Sequence, residues 1–180
     1  MRLNRRSVLM GTTVAATLGV LRSFGVAPFG PVPARAAAGT FPVTLSDAEW
    51  EKKLDAKAFD VLRREGTEWP FTSPLNREHR AGTFTCAGCS SALFSSKTKF
   101  ESHTGWPSFW QPFPGGVAET RDASLGMART EIHCAACGGH LGHVFDDGPR
   151  PTGLRYCMNG AAMRFAPEAV LSARKTNRTL

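Results

Sequence analysis

The chain has 180 residues, with 22 lysines and arginines against 15 aspartates and glutamates, a formal net charge of +7. Five of the basic residues (Arg2, Arg5, Arg6, Arg22 and Arg35) and none of the acidic ones lie in residues 1–36, so the remainder carries 17 basic and 15 acidic side chains, a net of +2. That near-balance gives no electrostatic footprint for nucleic acid, and the 144 residues after position 36 suit one domain with one core.

Residues 1–36 read as an export signal. A basic start with paired Arg5-Arg6 leads into an uncharged, mostly apolar run, Val8 to Leu21, and a Pro/Gly-rich stretch ends in Ala34-Arg35-Ala36. The run is short of the roughly 20 apolar residues a bilayer span needs. Arg5-Arg6-Ser7-Val8-Leu9 resembles a twin-arginine signal, so the expected location is exported, periplasmic, with no membrane attachment after cleavage. Residues 37–180 then form a single domain, with its core at about 43–166.

Ser46-x-x-Glu49 is a capping box that opens a short helix carrying Trp50 and Leu54 on one face. A second helix is predicted from about Ala56 to Glu65, with Phe59 and Leu62 inward and Gly66 closing it. From Gly82 onward helix signals vanish. Runs such as 83–85, 128–132 and 154–158 are β-rich and punctuated by Gly and Pro, which predicts a compact antiparallel β domain behind a short helical lead.

Four of the five cysteines pair off. Cys86-Ala-Gly-Cys89 and Cys134-Ala-Ala-Cys137 are two C-x-x-C turns separated by 44 residues, a pattern suited to one tetrahedral four-thiolate zinc ion per chain in a closed, structural role. Disulfides or redox pairs are the competing reading for an exported protein. A set of Cys134, Cys137, His140 and His143 would orphan Cys86 and Cys89. Gly138, not histidine, follows Cys137, which excludes a c-type haem motif.

Between the pairs, Gly105-Trp106-Pro107-Ser108-Phe109 sets aromatics in a rigid frame; Phe109 suits the core and Trp106 a pocket wall. After them, His140-Leu-Gly-His143-Val-Phe145-Asp146-Asp147 offers two imidazoles, which exchange protons near neutral pH. Histidines three apart would lie on opposite faces of a regular strand, and Gly142 permits a bulge that unites them. His79, His103 and His133 are taken as surface or hydrogen-bonded residues.

Cys157 is the unpaired cysteine. If 154–159 is extended, Leu154, Tyr156 and Met158 face the core while Arg155, Cys157 and Asn159 face the other way, a cation, a thiol and an amide together. Arg155 is expected to favour the thiolate.

These motifs together resemble the methionine-R-sulfoxide reductase family, B type. The resemblance runs over Cys86-Ala-Gly-Cys89, 93–100, Gly105–Phe109, Arg129-Thr130-Glu131, His140–Pro149 and Arg155-Tyr156-Cys157-x-Asn159. It implies two antiparallel sheets, a structural zinc on Cys86, Cys89, Cys134 and Cys137, and Cys157 as nucleophile. It also implies Trp106, His140, His143, Arg155 and Asn159 around the substrate, with Phe145 beside them. The implied substrate is the R epimer of methionine sulfoxide, free or in oxidised proteins, and the implied reductant a thioredoxin-like protein or small thiol. Many members carry a resolving cysteine just before the Gly-Trp-Pro-Ser-Phe segment; here Thr104 stands there. Two other classes compete: a zinc-stabilised binding module with an inert cysteine, and a dithiol–disulfide oxidoreductase using the C-x-x-C pairs.

Overall fold

The computed structural model describes residues 41–123 and 128–168. The leader 1–36 and the basic tail 173–178 lie outside the described residues. Among the described residues, no helix is long and apolar enough to cross a membrane.

Helix α1 spans Asp47–Lys53 and begins in the expected capping box: the Ser46 side chain accepts from the Glu49 amide, and the Glu49 carboxylate accepts from the Ser46 amide. Helix α2 spans Ala56–Arg64, capped by the Asp55 carboxylate accepting from the Ala58 amide at 2.9 Å. It buries Ala58, Phe59, Val61 and Leu62. Its end differs from the sequence expectation. Glu65, not Gly66, takes the left-handed cap, at φ 58°. A Cβ at Gly66 would lie 2.1 Å from an Asp60 carboxylate oxygen, so a larger residue there would push the Asp60 side chain aside. Four residues, Pro74–Arg77, form a 3₁₀ turn before the first strand.

Among the described residues nine strands follow: β1 Gly82–Cys86, β2 Ala92–Ser95, β3 Lys99–Phe100, β4 Ser108–Phe109, β5 Val117–Asp122, β6 Arg129–Cys134, β7 His140–Phe145, β8 Arg155–Met158 and β9 Met163–Pro167. They build two antiparallel sheets, one of three strands in the order β2-β1-β9 and one of six in the order β3-β4-β8-β7-β6-β5. The fold class read from the sequence is therefore the observed one.

The core lies between the sheets. Phe94 of β2 stacks on Phe109 of β4 at 4.3 Å between ring centres, Phe84 of β1 meets Phe109 edge-on at 4.9 Å, and Phe94 reaches Tyr156 of β8 at 5.8 Å. Phe84, Phe94 and Phe109 have no exposed surface. Truncating one of these rings would cost on the order of 3–5 kcal/mol. Because β8 alternates, fixing Tyr156 and Met158 in this core turns Arg155 and Cys157 to the opposite face.

Candidate active site

The two C-x-x-C turns meet although they belong to different sheets. Cys86 ends β1 and Cys89 lies in the turn to β2; Cys134 ends β6 and Cys137 lies in the turn to β7. Each turn is closed by backbone bonds, Ser90 N–H to the Cys86 carbonyl at 2.9 Å and Gly138 N–H to the Cys134 carbonyl at 2.8 Å. All four sulfurs lie within 4.8 Å of one another, with Cys86–Cys137 at 3.7 Å and Cys89–Cys134 at 3.5 Å. A tetrahedron with Zn–S bonds of about 2.3 Å has edges of about 3.8 Å, so the cluster has the size of a four-thiolate metal site. The donor set is complete without a water position, which suits a staple between the sheets.

Cys157 sits 20 residues beyond the last of these cysteines in sequence and in a different setting. Strand register places it opposite Ser108 of β4 on one side and His143 of β7 on the other; His143 in turn lies opposite Glu131 of β6. Directly opposed residues share a face, so Ser108, Cys157, His143 and Glu131 form one row across four strands. Hydroxyls surround the sulfur. Thr104 Oγ1 is 3.8 Å from Cys157 Sγ, Ser102 is 2.8 Å from Thr104, and Ser102 is 2.7 Å from Ser108.

Burial pushes the Cys157 thiol up from its ordinary value. The Thr104 hydroxyl, the Arg155 charge and hydrogen bond, and Ser108 pull it down and are outweighed. The influence expected of Arg155 thus has the right sign but does not prevail. Arg155 is itself committed: its Nε and Nη2 each donate to the Asp147 carboxylate at 2.8 Å, and its guanidinium lies 4.4 Å over the Phe145 ring. Phe145 and Arg155 are cross-strand partners, which explains the stacking.

The two histidines do come to one side. Register between β6 and β7 jumps from Ile132–Gly142 to His133–His140, leaving Leu141 as the extra residue of a bulge. Gly142 is at φ 156°, and a Cβ there would lie 2.1 Å from the Cys157 carbonyl oxygen, so only glycine fits. The His140 and His143 ring centres are 5.5 Å apart, edge to face. Each ring is held by a carboxylate: His140 Nδ1 lies 2.8 Å from Glu131 Oε1, and His143 Nε2 lies 2.9 Å from Asp122 Oδ2. Burial holds His143 below the ordinary imidazole range, with Asp122 pulling the other way.

Asn159 departs from the expectation that it faces outward with Cys157. The strand stops at Met158, and Asn159 turns at φ −68°, ψ 121° into a 3₁₀ turn. Its side chain is buried, with Oδ1 accepting from the Glu68 amide at 3.0 Å and Nδ2 donating to the Leu141 carbonyl at 3.1 Å. It ties the end of β8 to β7 and to the segment before the first strand. Trp106 is half-buried and donates its indole N–H to the Glu68 carbonyl at 3.1 Å. The Glu68 carboxylate accepts from the amides of Gly160 and Ala161.

Glu68, Ser102, Asp122 and Glu131 are thus site residues that reading the sequence did not single out for a role. Glu131 alone had a signal, its place in the Arg129-Thr130-Glu131 motif of the family resemblance. The partners of Asp122 and Glu68 are 21 and 91 residues away, and only strand pairing reveals them. His79 and His103 are exposed, as expected.

A two-sheet β fold, a four-cysteine cluster that could hold a metal ion and a fifth cysteine beside carboxylate-held histidines define a thiol-dependent redox enzyme class. Residues 54–167 match the SelR domain family. A peptide methionine sulfoxide reductase MsrB of Leptospira interrogans serovar Lai is 54% identical over 129 residues, 71% of this chain and 98% of the relative. The MsrB of Agrobacterium fabrum is 54% identical over 126 residues, 69% and 93% of the two chains, and that of Leifsonia xyli subsp. xyli is 50% identical over 135 residues, 74% and 97%. The chain belongs to the SelR family, the B-type methionine sulfoxide reductases.

Proposed function

We propose that Cys157 is the nucleophile with which this enzyme reduces the R epimer of methionine sulfoxide. The observation that carries the assignment is the row that sets Cys157 between Ser108 and His143, away from the metal knuckle. Because the resting thiol is raised by burial and His143 is held neutral, the resting site carries its proton on sulfur. His143 accepts that proton as Cys157 attacks the sulfoxide sulfur, and returns it to the departing oxygen. The sulfur–oxygen bond of the substrate then breaks as its oxygen passes to the Cys157 sulfur, the transient sulfur–sulfur bond is released, methionine leaves as the thioether, and Cys157 is left as sulfenic acid. Two thiol equivalents then convert it back to thiol, forming a disulfide and releasing the oxygen as water.

Asp122 and Glu131 orient the two imidazoles, Arg155 stabilises the thiolate once formed, and Trp106 walls the methyl pocket. Asn159 holds β8 in register, and Phe145 carries the Arg155 guanidinium. The metal on Cys86, Cys89, Cys134 and Cys137 is zinc in this reading, with a structural role only. The reductant is a thioredoxin-like protein or a small thiol. Arg5-Arg6, the apolar run 8–21 and Ala34-Arg35-Ala36 support export through a twin-arginine route, which carries a folded, metal-loaded chain to the periplasm.

An assay on separated sulfoxide epimers, with wild type and Cys157→Ser, tests the function. Turnover of the R epimer alone, abolished in Cys157→Ser, is expected. Activity retained in that variant would remove Cys157 from its role.

A further inference from the structure

The helical lead leans on the four-cysteine cluster. Arg63, in the last turn of α2, donates from Nη2 to the Cys137 carbonyl at 3.1 Å, a contact that spans 74 residues of chain. Its Nε donates to the Leu62 carbonyl at 2.8 Å, and its guanidinium lies 4.9 Å over the Trp50 ring of α1. Both acceptors are carbonyls, so neither cancels the charge. The place where a Gly139 Cβ would stand is 3.0 Å from Arg63 Nη2 and 3.4 Å from Cys137 Sγ. The cation and the sulfur therefore border one space the size of a methyl group, which glycine leaves open.

Leu62 and Trp50, both buried, complete the cover. The same point at Gly139 is 2.7 Å from Leu62 Cδ2. The corresponding point at Gly88, in the first cysteine turn, is 3.6 Å from Leu62 Cδ1, 3.3 Å from Trp50 Cζ3 and 3.6 Å from Cys86 Sγ. One leucine thus packs on both turns, and the tryptophan of α1 lies on the first. The segment before α1 closes on the second: Val43 N–H donates to the Ala136 carbonyl at 2.8 Å, and a Cβ at Gly138 would meet the Phe41 ring. Under this cover Cys86, Cys134 and Cys137 are buried and Cys89 is half-buried.

Charge says what the arrangement does. A dication held by four thiolates leaves two negative charges in excess, in a place where burial makes uncompensated charge costly. A fixed guanidinium beside one of those sulfurs offsets part of that excess, and apolar side chains over the turns keep water and competing ligands away. We infer that Arg63 is a metal-retaining residue: seated on Trp50 and Leu62, it neutralises the four-thiolate site from outside the ligand set and slows loss of the metal. The inference rests on the reading that the four cysteines hold zinc, and adds to it what determines how long the ion is kept. It gives the helical lead a task separate from catalysis, which is to keep four thiolates committed to metal while a fifth, Cys157, reacts.

The test follows transfer of zinc from the zinc-loaded protein to excess pyridylazoresorcinol, read by the absorbance of the zinc–dye complex, well below the melting temperature of each chain used. Wild type is compared with Arg63→Gln, which removes the charge, with Arg63→Lys, which keeps it, and with Phe109→Leu, which loosens the core between the sheets. Arg63→Gln is expected to release zinc on the order of tenfold faster than wild type. Arg63→Lys should restore most of that difference, and Phe109→Leu should melt lower yet release zinc at the wild-type rate. Release from Arg63→Gln at the wild-type rate would overturn the inference. So would Phe109→Leu matching Arg63→Gln, which marks a general loosening of the fold, or Arg63→Lys matching it, which marks the lost Cys137 hydrogen bond rather than the charge. A wild type that carries no zinc would take the metal reading down as well.

Discussion

Cys157 and His143 lie directly opposite one another across β7 and β8. That pairing depends on a strand bulge, on a glycine at 142 that admits the Cys157 carbonyl, and on a core that fixes the neighbours Tyr156 and Met158. The proposed nucleophile and its proposed proton carrier are thus positioned by backbone pairing rather than by a flexible loop.

His143→Asn should lower the rate of the reduction step by about 10²–10⁴ while leaving substrate KM near its original value. Asp122→Asn, which removes the carboxylate holding His143 Nε2, should act in the same direction and less strongly. Rapid-quench measurement of methionine formed in the first turnover checks both. A His143→Asn enzyme with full first-turnover rate would show that the proton travels another way.

The reach of sequence reading follows the range of the interaction. The capping box of α1, the C-x-x-C pairs and the alternation of β8 are local patterns, and each is found where the spacing puts it. Gly142 announced a bulge because no other residue could tolerate the geometry. Asn159 was misplaced because strand periodicity was extended one residue past Met158, where the chain turns to bond Glu68 and Leu141. Glu68 and Asp122 were silent because an acidic residue in a loop or at a strand end is ordinary; their meaning lies in partners far along the chain. The balance of forces on Cys157 was illegible too, since an adjacent arginine is visible in sequence and burial is not.

That balance has a sign. A thiol raised above the ordinary value of about 8.5 is protonated at pH 7, and its thiolate fraction grows tenfold per pH unit until the pH passes the pKa. Alkylation of Cys157 by iodoacetamide, followed by mass spectrometry, should therefore climb from pH 6 through pH 9 without levelling. A plateau reached below pH 8 would mean that Arg155 and Thr104 outweigh burial.

The four-cysteine cluster brings the end of β1 to the end of β6, so a metal held there would join one sheet to the other. Zinc analysis should give one ion per chain. Cys86→Ser or Cys134→Ser should lose it and several kcal/mol of stability, since metal binding and folding are linked at such sites. Thermal melts with parallel activity at low temperature check the order of losses: stability first, activity second. A metal-free chain that is equally stable and active would remove the staple from the account.

Thr104 Oγ1 stands 3.8 Å from Cys157 Sγ, where a resolving cysteine would have to be. A sulfur at that place needs a shift of about 1.8 Å to form a bond near 2.0 Å. Thr104→Cys should therefore convert the oxidised product from a sulfenic acid into an intramolecular disulfide, read as a mass loss of two hydrogens and resistance to a sulfenic acid probe. An oxidised Thr104→Cys chain that still carries only sulfenic acid would show the two side chains are not oriented to bond.

The central claim is that Cys157 alone carries the redox chemistry, while Cys86, Cys89, Cys134 and Cys137 stay bound to metal throughout. The most direct measurement is native and peptide-level mass spectrometry after one turnover without reductant. The account predicts one methionine per enzyme, one oxygen trapped as sulfenic acid on Cys157, and the metal still in place. An intramolecular disulfide joining Cys157 to one of those four cysteines, with release of the metal, would contradict it.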